Sequence, residues 1–487
     1  MKIAFLSLNR EDLPDRVVPL GLLYVMANVP PGHKTELWDL CFEEDPLRTT
    51  RERIEAFRPD LIAVGMRNIQ NNDYTDTQTN LTYYGRVFEV IRAATDAPIV
   101  LGGGGFSVMP EGLMRLLRPD YGIAGEGERA FAQLVGVLAG EGGALDEIGN
   151  LLYFRQPSVN GARRGTRLPL QADAAADLLG ELVVVPPAAG FQDLDALTPP
   201  DRSAVDPRYY GDARTDSVQT KRGCPLRCDY CTYPTIEGRS IRQRDPARVV
   251  DEILQAKETW PAMAHFFVVD SVFNLPPKHA KAVCRELIRR QVDLPWTCYA
   301  NPIGFDRELA ELMAEAGCAG MEVGSDSGVD EVLARLQKGF KTDRIRALHE
   351  HAVEAGVPDC HTFILGTPGE TLDTVRRTLD FCTELDPFAA VMMIWTDDYE
   401  ALDPALAAQR YAFREEIKAL MREKEKEFPR WIIPPLGTNF NPRLFELLRR
   451  TGRHGPLWQH IKLVGHDRRS RRLRDRIREQ AVDAPTD

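Results

Sequence analysis

Long apolar runs are missing from this chain. None reaches the roughly 18–20 residues of a membrane span, so no membrane-crossing segment is expected. Cysteine is sparse, nine in 487 residues, too few for a fold stapled by disulfides. Basic residues do not prevail: 61 Lys and Arg stand against 72 Asp and Glu, a net charge of −11, which argues against a nucleic-acid partner. Solenoid-period repeats and low-complexity tracts are absent. The opening stretch, MKIAFLSLNREDLPD, has one Lys before a short apolar run, then turns acidic without a small-residue cleavage site. It is not expected to be a signal peptide, and the expected location is cytoplasmic. What is there is an ordinary globular composition, 43% hydrophobic and 27% charged. At about 150 residues per domain the length suggests two to four domains.

Residues 1–145 alternate short apolar runs with amphipathic stretches. Lys2–Leu8, Asp60–Met66, Pro98–Leu101 and Tyr121–Ala124 read as buried parallel strands, with helices between them. Repeated βα alternation predicts an α/β fold with a doubly wound, Rossmann-like sheet, which binds ligands beyond the carboxyl ends of its strands. Asn9, Leu20 and Gly21, Arg67 and Asn68, Gly102 to Phe106, and Gly125 with Glu126 stand there. The run Gly102, Gly103, Gly104, Gly105 fits either close approach to a large ligand or a plain flexible loop. Residues 146–205 read as a connector with a hairpin, from Leu151–Phe154 through an Asn160-Gly161 turn to Leu170. Residues 206–400 repeat βα units. The strands expected there, Ser217–Lys221, His265–Asp270, Trp296–Tyr299, Gly320–Gly324, Cys360–Leu365 and Ala389–Trp395, suggest a partial (β/α)6 barrel. Residues 401–487 read as mostly helical, and the Arg-rich Arg468–Glu479 as a solvated helix end.

The strongest chemical signal is Lys221-Arg222-Gly223-Cys224-Pro225-Leu226-Arg227-Cys228-Asp229-Tyr230-Cys231, a CxxxCxxC directly after the first barrel strand. Three thiolates at this spacing can hold three irons of a cubane cluster and leave the fourth open. A structural zinc would want four closed ligands, and no fourth Cys or His lies nearby, the next being His265.

This motif, with Tyr230 before its last cysteine, closely resembles that of the radical S-adenosylmethionine (SAM) enzymes. In that family the open iron of a 4Fe-4S cluster chelates SAM, and one electron cleaves it to methionine and a 5′-deoxyadenosyl radical. Further segments resemble the family's weaker motifs: Asp270 on the second strand, Glu322 and Ser325 on the fourth, and Leu365-Gly366 before Glu370 on the fifth. Val18-Pro19-Leu20-Gly21, the Gly102–Pro110 loop and Tyr121-Gly122-Ile123-Ala124-Gly125-Glu126 look like the cobalamin-binding domain of cobalamin-dependent radical SAM enzymes. The histidine motif that ligates cobalt in other cobalamin proteins is absent, since no His lies between His33 and His265. The resemblance therefore implies a corrin without a protein histidine on cobalt. Arg67 would lie near the metal without ligating it, or serve as a loop charge or phosphate contact.

The implied activity is methyl transfer from methylcobalamin to an unactivated carbon or phosphorus of a small molecule, after hydrogen abstraction by the radical. Tyr299, His361 and Arg67 are the candidate catalytic residues. Cys298, Asn301, Trp395, Asp397, Asp398 and Tyr399 are further candidate substrate contacts. The implied partners are a small-molecule substrate and an external electron donor such as flavodoxin or ferredoxin. A non-methylating rearrangement or cyclisation is the alternative.

Overall fold

The computed structural model describes residues 1–11, 16–70, 79–155, 180–187, 192–211, 214–396, 403–424, 431–432, 454–456 and 458–460. Its first sheet grows from the apolar runs. Strands β1 (Lys2–Ser7), β2 (Lys34–Asp39), β3 (Leu61–Gly65), β4 (Ile99–Gly102) and β5 (Tyr121–Ile123) run parallel in the order β2-β1-β3-β4-β5. Both faces are covered: Ala4 and Leu6 of β1 enter one apolar cluster, Ile3 and Phe5 another. This is the doubly wound order whose ligands sit at the switch point, here between the ends of β1 and β3. Strand β2 was not expected, because KTELWD is an edge strand whose first residues are polar and partly exposed.

The hairpin differs from expectation. Strand β6 (Leu151–Arg155) pairs with β7 (Glu181–Val184), and both extend the first sheet antiparallel beyond β5. The sheet thus runs on to Val184, past residue 145. The Asn160-Gly161 turn and the run to Leu170 lie outside the described residues.

The second sheet is wholly parallel and follows chain order, as a right-handed βα repeat winds. Strands β8 (Thr215–Val218), β11 (His265–Val268), β12 (Trp296–Ala300), β13 (Cys318–Asp326), β14 (Asp359–Leu365) and β15 (Ala389–Ile394) are the six expected, and β16 (Trp431–Ile432) adds a seventh at the edge. The first is shorter than expected. Lys221 and Arg222 leave it to form β9, paired antiparallel with β10 (Arg242–Gln243). Of residues 401–487, Pro404–Lys424 is helical as expected, and Arg468–Glu479 lies outside the described residues. Among the described residues no helix is long and apolar enough to cross a membrane.

Side-chain alternation separates the two faces of the barrel wall. Trp296, Cys298 and Ala300 of β12 join the apolar layer under the outer helices, while Phe267 and Tyr299 meet edge to face 5.0 Å apart on the opposite, inner face. The amino-terminal end of the lumen is occupied by Trp458 and Gln459. Trp458 lies against Cys360 and Ala389 and donates its indole N–H to Glu322 at 3.0 Å, and Gln459 donates to the Ala319 carbonyl. Gly320 makes room for that ring, since a Cβ there would lie 2.4 Å from it.

Buried ions tie the connector to the barrel. Arg202 pairs with Asp216 at 3.4 Å and Glu252 at 2.9 Å, all nearly inaccessible. Glu252 also accepts from Tyr24 of the first unit and pairs with Arg244. Removing one partner of a buried pair costs about 3–5 kcal/mol, because an uncompensated charge remains. Arg202→Met is therefore expected to lower stability by about that amount, read as a large drop in thermal midpoint. A midpoint unchanged from wild type would show that the network carries no such strain.

Candidate active site between the two sheets

The carboxyl ends of the two sheets converge. The cysteine loop begins at Gly223, whose φ of +90° and Cβ position 2.1 Å from the Ser240 carbonyl admit only glycine. Cys224 is buried and its N–H bonds to the Gly238 carbonyl at 3.1 Å, while Cys228 and Cys231 are half-buried. Burial pushes the Cys228 and Cys231 thiols up, opposed by the Lys338 ammonium. Among the described residues the three His, Cys, Asp or Glu side chains whose ligand atoms gather within 4.8 Å are His349, Asp359 and His361, so the cysteine trio is wider than a one-ion site.

Directly after Cys231, the short helix Tyr233–Glu237 packs on the glycine loop of the first unit. Ile236 stands 3.7 Å from where a Cβ of Gly104 would be, and its carbonyl 3.3 Å from that of Gly125. The two loops are held there by charge. Arg222 pairs with Glu126 at 3.1 Å and with Glu128 at 2.6 Å, and Arg242 also pairs with Glu126. Arg67, exposed beyond β3, is close enough to act electrostatically on Tyr233, which is itself partly open to solvent. Asn9 follows β1 at the switch point. It is buried, and its side-chain N–H2 has no partner among the described residues. Gly21 opens onto empty space.

Several expected site residues are placed otherwise. Gly103 and Gly105 serve the chain's own packing: a Cβ at Gly103, where φ is +102°, would lie 2.5 Å from the Met66 carbonyl, and one at Gly105 3.1 Å from Asn68. Gly102 and Gly104 are less constrained, with nothing nearer than 3.5 Å. Phe106 is fully buried in the first core, under Gly122, and does not face the cavity. Glu126 is occupied as the interdomain ion partner. Leu20 is buried at the start of its helix, and the Asn68 carbonyl accepts from Tyr84. Ser107, missed in the sequence, accepts from the Gly125 N–H and donates to the Gly103 carbonyl, joining both glycine loops.

On the barrel side, Asp270 is fully buried and spends its carboxylate on Thr220, the Lys221 N–H and the Lys221 ammonium at 2.9 Å. It braces the entry to the cysteine loop. His361 is corrected outright: it has no exposure, stacks on Phe363 of the outer core, and bonds Asp359 at 2.9 Å and Ser325 at 2.7 Å. Ser325 is thereby turned outward too. Leu365 is outer core, and Gly366 lies under Ile417 of the helix Pro404–Lys424, where a Cβ would be 2.6 Å away. Cys298 is outer core, and Asn301 is tied to Asn274 and Ile303. Tyr299 stays on the inner wall, 39% exposed. Glu322 is held by Trp458. Trp395 meets Tyr230 edge to face, whereas Asp397, Asp398 and Tyr399 lie outside the described residues. Sequence reading also missed Lys338 and Asp326, an ion pair at 2.7 Å behind Tyr230.

The family models agree with this division. The Radical SAM superfamily matches residues 218–382 and the B12 binding domain residues 8–135. Tryptophan 2-C-methyltransferase of Streptomyces laurentii is 30% identical over 423 residues, covering 78% of this chain and 70% of that protein. The chain belongs to the cobalamin-dependent radical SAM methyltransferases. The chain is also similar to a cytidylyl-2-hydroxyethylphosphonate methyltransferase of Streptomyces wedmorensis, 23% identical over 78% of this chain and 75% of that protein, and to an anaerobic magnesium-protoporphyrin IX monomethyl ester cyclase of Rubrivivax gelatinosus, 26% identical over 71% of this chain and 58% of that protein. The methyltransferase shares its fold with the radical SAM methyltransferase TsrM from Kitasatospora setae, solved with cobalamin and a [4Fe-4S] cluster, at a TM-score of 0.80, 23% identity, and coverage of 99% of this chain and 100% of that one. Family membership brings a 4Fe-4S cluster, SAM and cobalamin to the two units.

Gly103→Ala forces a side chain against the Met66 carbonyl at a positive φ. The expected result is loss of corrin absorbance after reconstitution while the broad cluster absorbance persists. Full corrin retention would show that the loop can shift without cost.

Proposed function

We propose that this methyltransferase transfers a methyl group to an unactivated carbon or phosphorus centre of a small organic molecule held between its two sheets. The observation that carries the reading is the contact of the cysteine loop with the glycine loop through Ile236 and the Arg222 ion pairs. Two cofactors that must act on one substrate have to meet in one cavity. Relatives named for tryptophan and for a cytidylyl phosphonate support a small-molecule substrate.

The residues fit the groups. Cys224, Cys228 and Cys231 would hold the cluster, one thiolate on each of three irons. Asn9, with its orphaned amide, Gly21, which opens onto empty space, and the exposed Arg67 would take the corrin side of the cleft. The first unit holds a single histidine, His33, bonded to the amino terminus at the opposite end of the sheet. The corrin would therefore bind without a histidine of this unit on cobalt, and Arg67 would stand in that region as a cation that cannot ligate. When bound, the cluster and SAM supply the radical and the corrin the methyl group.

This chain's own residues place and shield. Arg222 with Glu126 and Glu128 sets the separation of the two loops. Trp458 seals the far end of the lumen, so substrate enters from the interdomain side and water is kept from the reacting centre. Tyr299 presents the inner-wall hydroxyl where the substrate would sit. The electron comes from an external donor such as flavodoxin or ferredoxin.

Anaerobic reconstitution with iron, sulfide and cobalamin, followed by mass spectrometry with labelled SAM, tests the reading. Changing Cys224, Cys228 and Cys231 together to Ala should abolish cluster absorbance and deoxyadenosine formation; survival of both defeats it. A product heavier by one methylene unit supports methylation, and a product lacking that gain supports the cyclase-type alternative. Arg67→Ala should alter the cobalt spectrum, and an unchanged spectrum with unchanged activity removes it from the site.

A further inference from the structure

The segment 326–340 grips the cysteine loop from the barrel side. The Asp229 N–H, between two of the cysteines, donates to the Leu336 carbonyl at 3.1 Å. The Tyr230 ring packs on Val329, Val332 and Leu336, and its hydroxyl donates to Asp326. Lys338 completes the group: its ammonium is 2.7 Å from Asp326, 3.2 Å from the Tyr230 oxygen and 5.6 Å from the centre of the Tyr230 ring. Lys338 and Asp326 are both almost wholly buried, and Asp326 adopts a left-handed φ of +61° to reach the pair.

A buried lysine is costly unless something requires it, and Asp326 alone does not explain why the pair lies against Tyr230, between two of the cysteines, rather than being replaced by apolar residues. We infer that Lys338, oriented by Asp326 and Tyr230, is a fixed positive charge that raises the reduction potential of the cluster held by Cys224, Cys228 and Cys231. Reduction adds one electron, and with it negative charge, to a cluster already carrying thiolates. A cation fixed in a low-dielectric wall lowers the free energy of that reduced form. Asp326 opposes the effect in part while holding the ammonium in place. The inference rests on the cluster assignment above and concerns positioning residues, not groups that touch substrate.

The test is the midpoint potential of the reconstituted cluster, measured without SAM, cobalamin or substrate. Lys338→Met should shift it negative, leaving the cluster roughly tenfold less reduced at a fixed donor potential, equivalent to about 59 mV for one electron. Asp326→Asn should shift it in the opposite direction, because the cation loses its counter-charge. Lys338→Arg should stay near wild type. A merely structural role would move no potential, or move the first two variants in the same direction, and either result overturns the inference. If Lys338→Met fails to hold a cluster, the sign for Asp326→Asn decides alone. Wild-type protein that takes up no cluster would instead overturn the functional reading itself.

Discussion

Arg222 is the interaction on which the rest depends. It precedes Gly223 and Cys224 in the chain, and its guanidinium is shared between Glu126 and Glu128 of the other unit. The three groups are largely desolvated, so each would be expensive to leave unpaired. Burial alone would disfavour the charged guanidinium, but the two carboxylates outweigh it and hold Arg222 charged, and Arg222 in turn holds Glu128 below the ordinary carboxylate range despite its burial. A clamp of this kind fixes the distance between a metal-binding loop on one sheet and a glycine loop on the other. Neither sheet could do so through hydrophobic burial alone, because the facing surfaces must stay open to cofactors and substrate.

The same arrangement recurs around the cysteine loop. Lys221 is paired with Asp270 of the segment after β11, Arg222 with two residues of the first unit, and Lys338 with Asp326 of β13. Between β9 and the helix at Tyr233 the loop has little regular hydrogen bonding of its own. Ion pairs from three separate elements therefore replace the ladder that a helix or strand would have supplied. They also set compensated charge around the cysteine loop.

The sequence made the architecture legible because buried parallel strands read as apolar runs, and the cysteine spacing is specific. It did not reveal which face each strand residue takes. A parallel strand covered on both sides carries apolar residues throughout, so alternation gives no direction. His361 illustrates this: a polar residue in a strand suggests a cavity, yet it points outward into a private network with Asp359 and Ser325. The register shift between Gly324 and Asp326 adds to the ambiguity, since one extra residue turns the following side chains over. Lys338 was hidden for another reason. It follows a short helix, at no recognisable spacing from the cysteines, and only the fold brings it to them.

Glycine shows the opposite error, in which a signal was read correctly as constraint but assigned to the wrong neighbour. The run from Gly102 to Gly105 marks a place where backbone must come close to something. At Gly103 and Gly105 that something is the Met66–Asn68 segment of the chain itself. The consequence is still functional, because the same packing sets where Arg67 and Asn68 emerge at the switch point beside Asn9. A loop pressed so tightly on its neighbouring strand presents its outer surface as a rigid floor. Rigidity there is what a large flat cofactor needs if its metal is to keep a constant distance from a cluster anchored in the other domain.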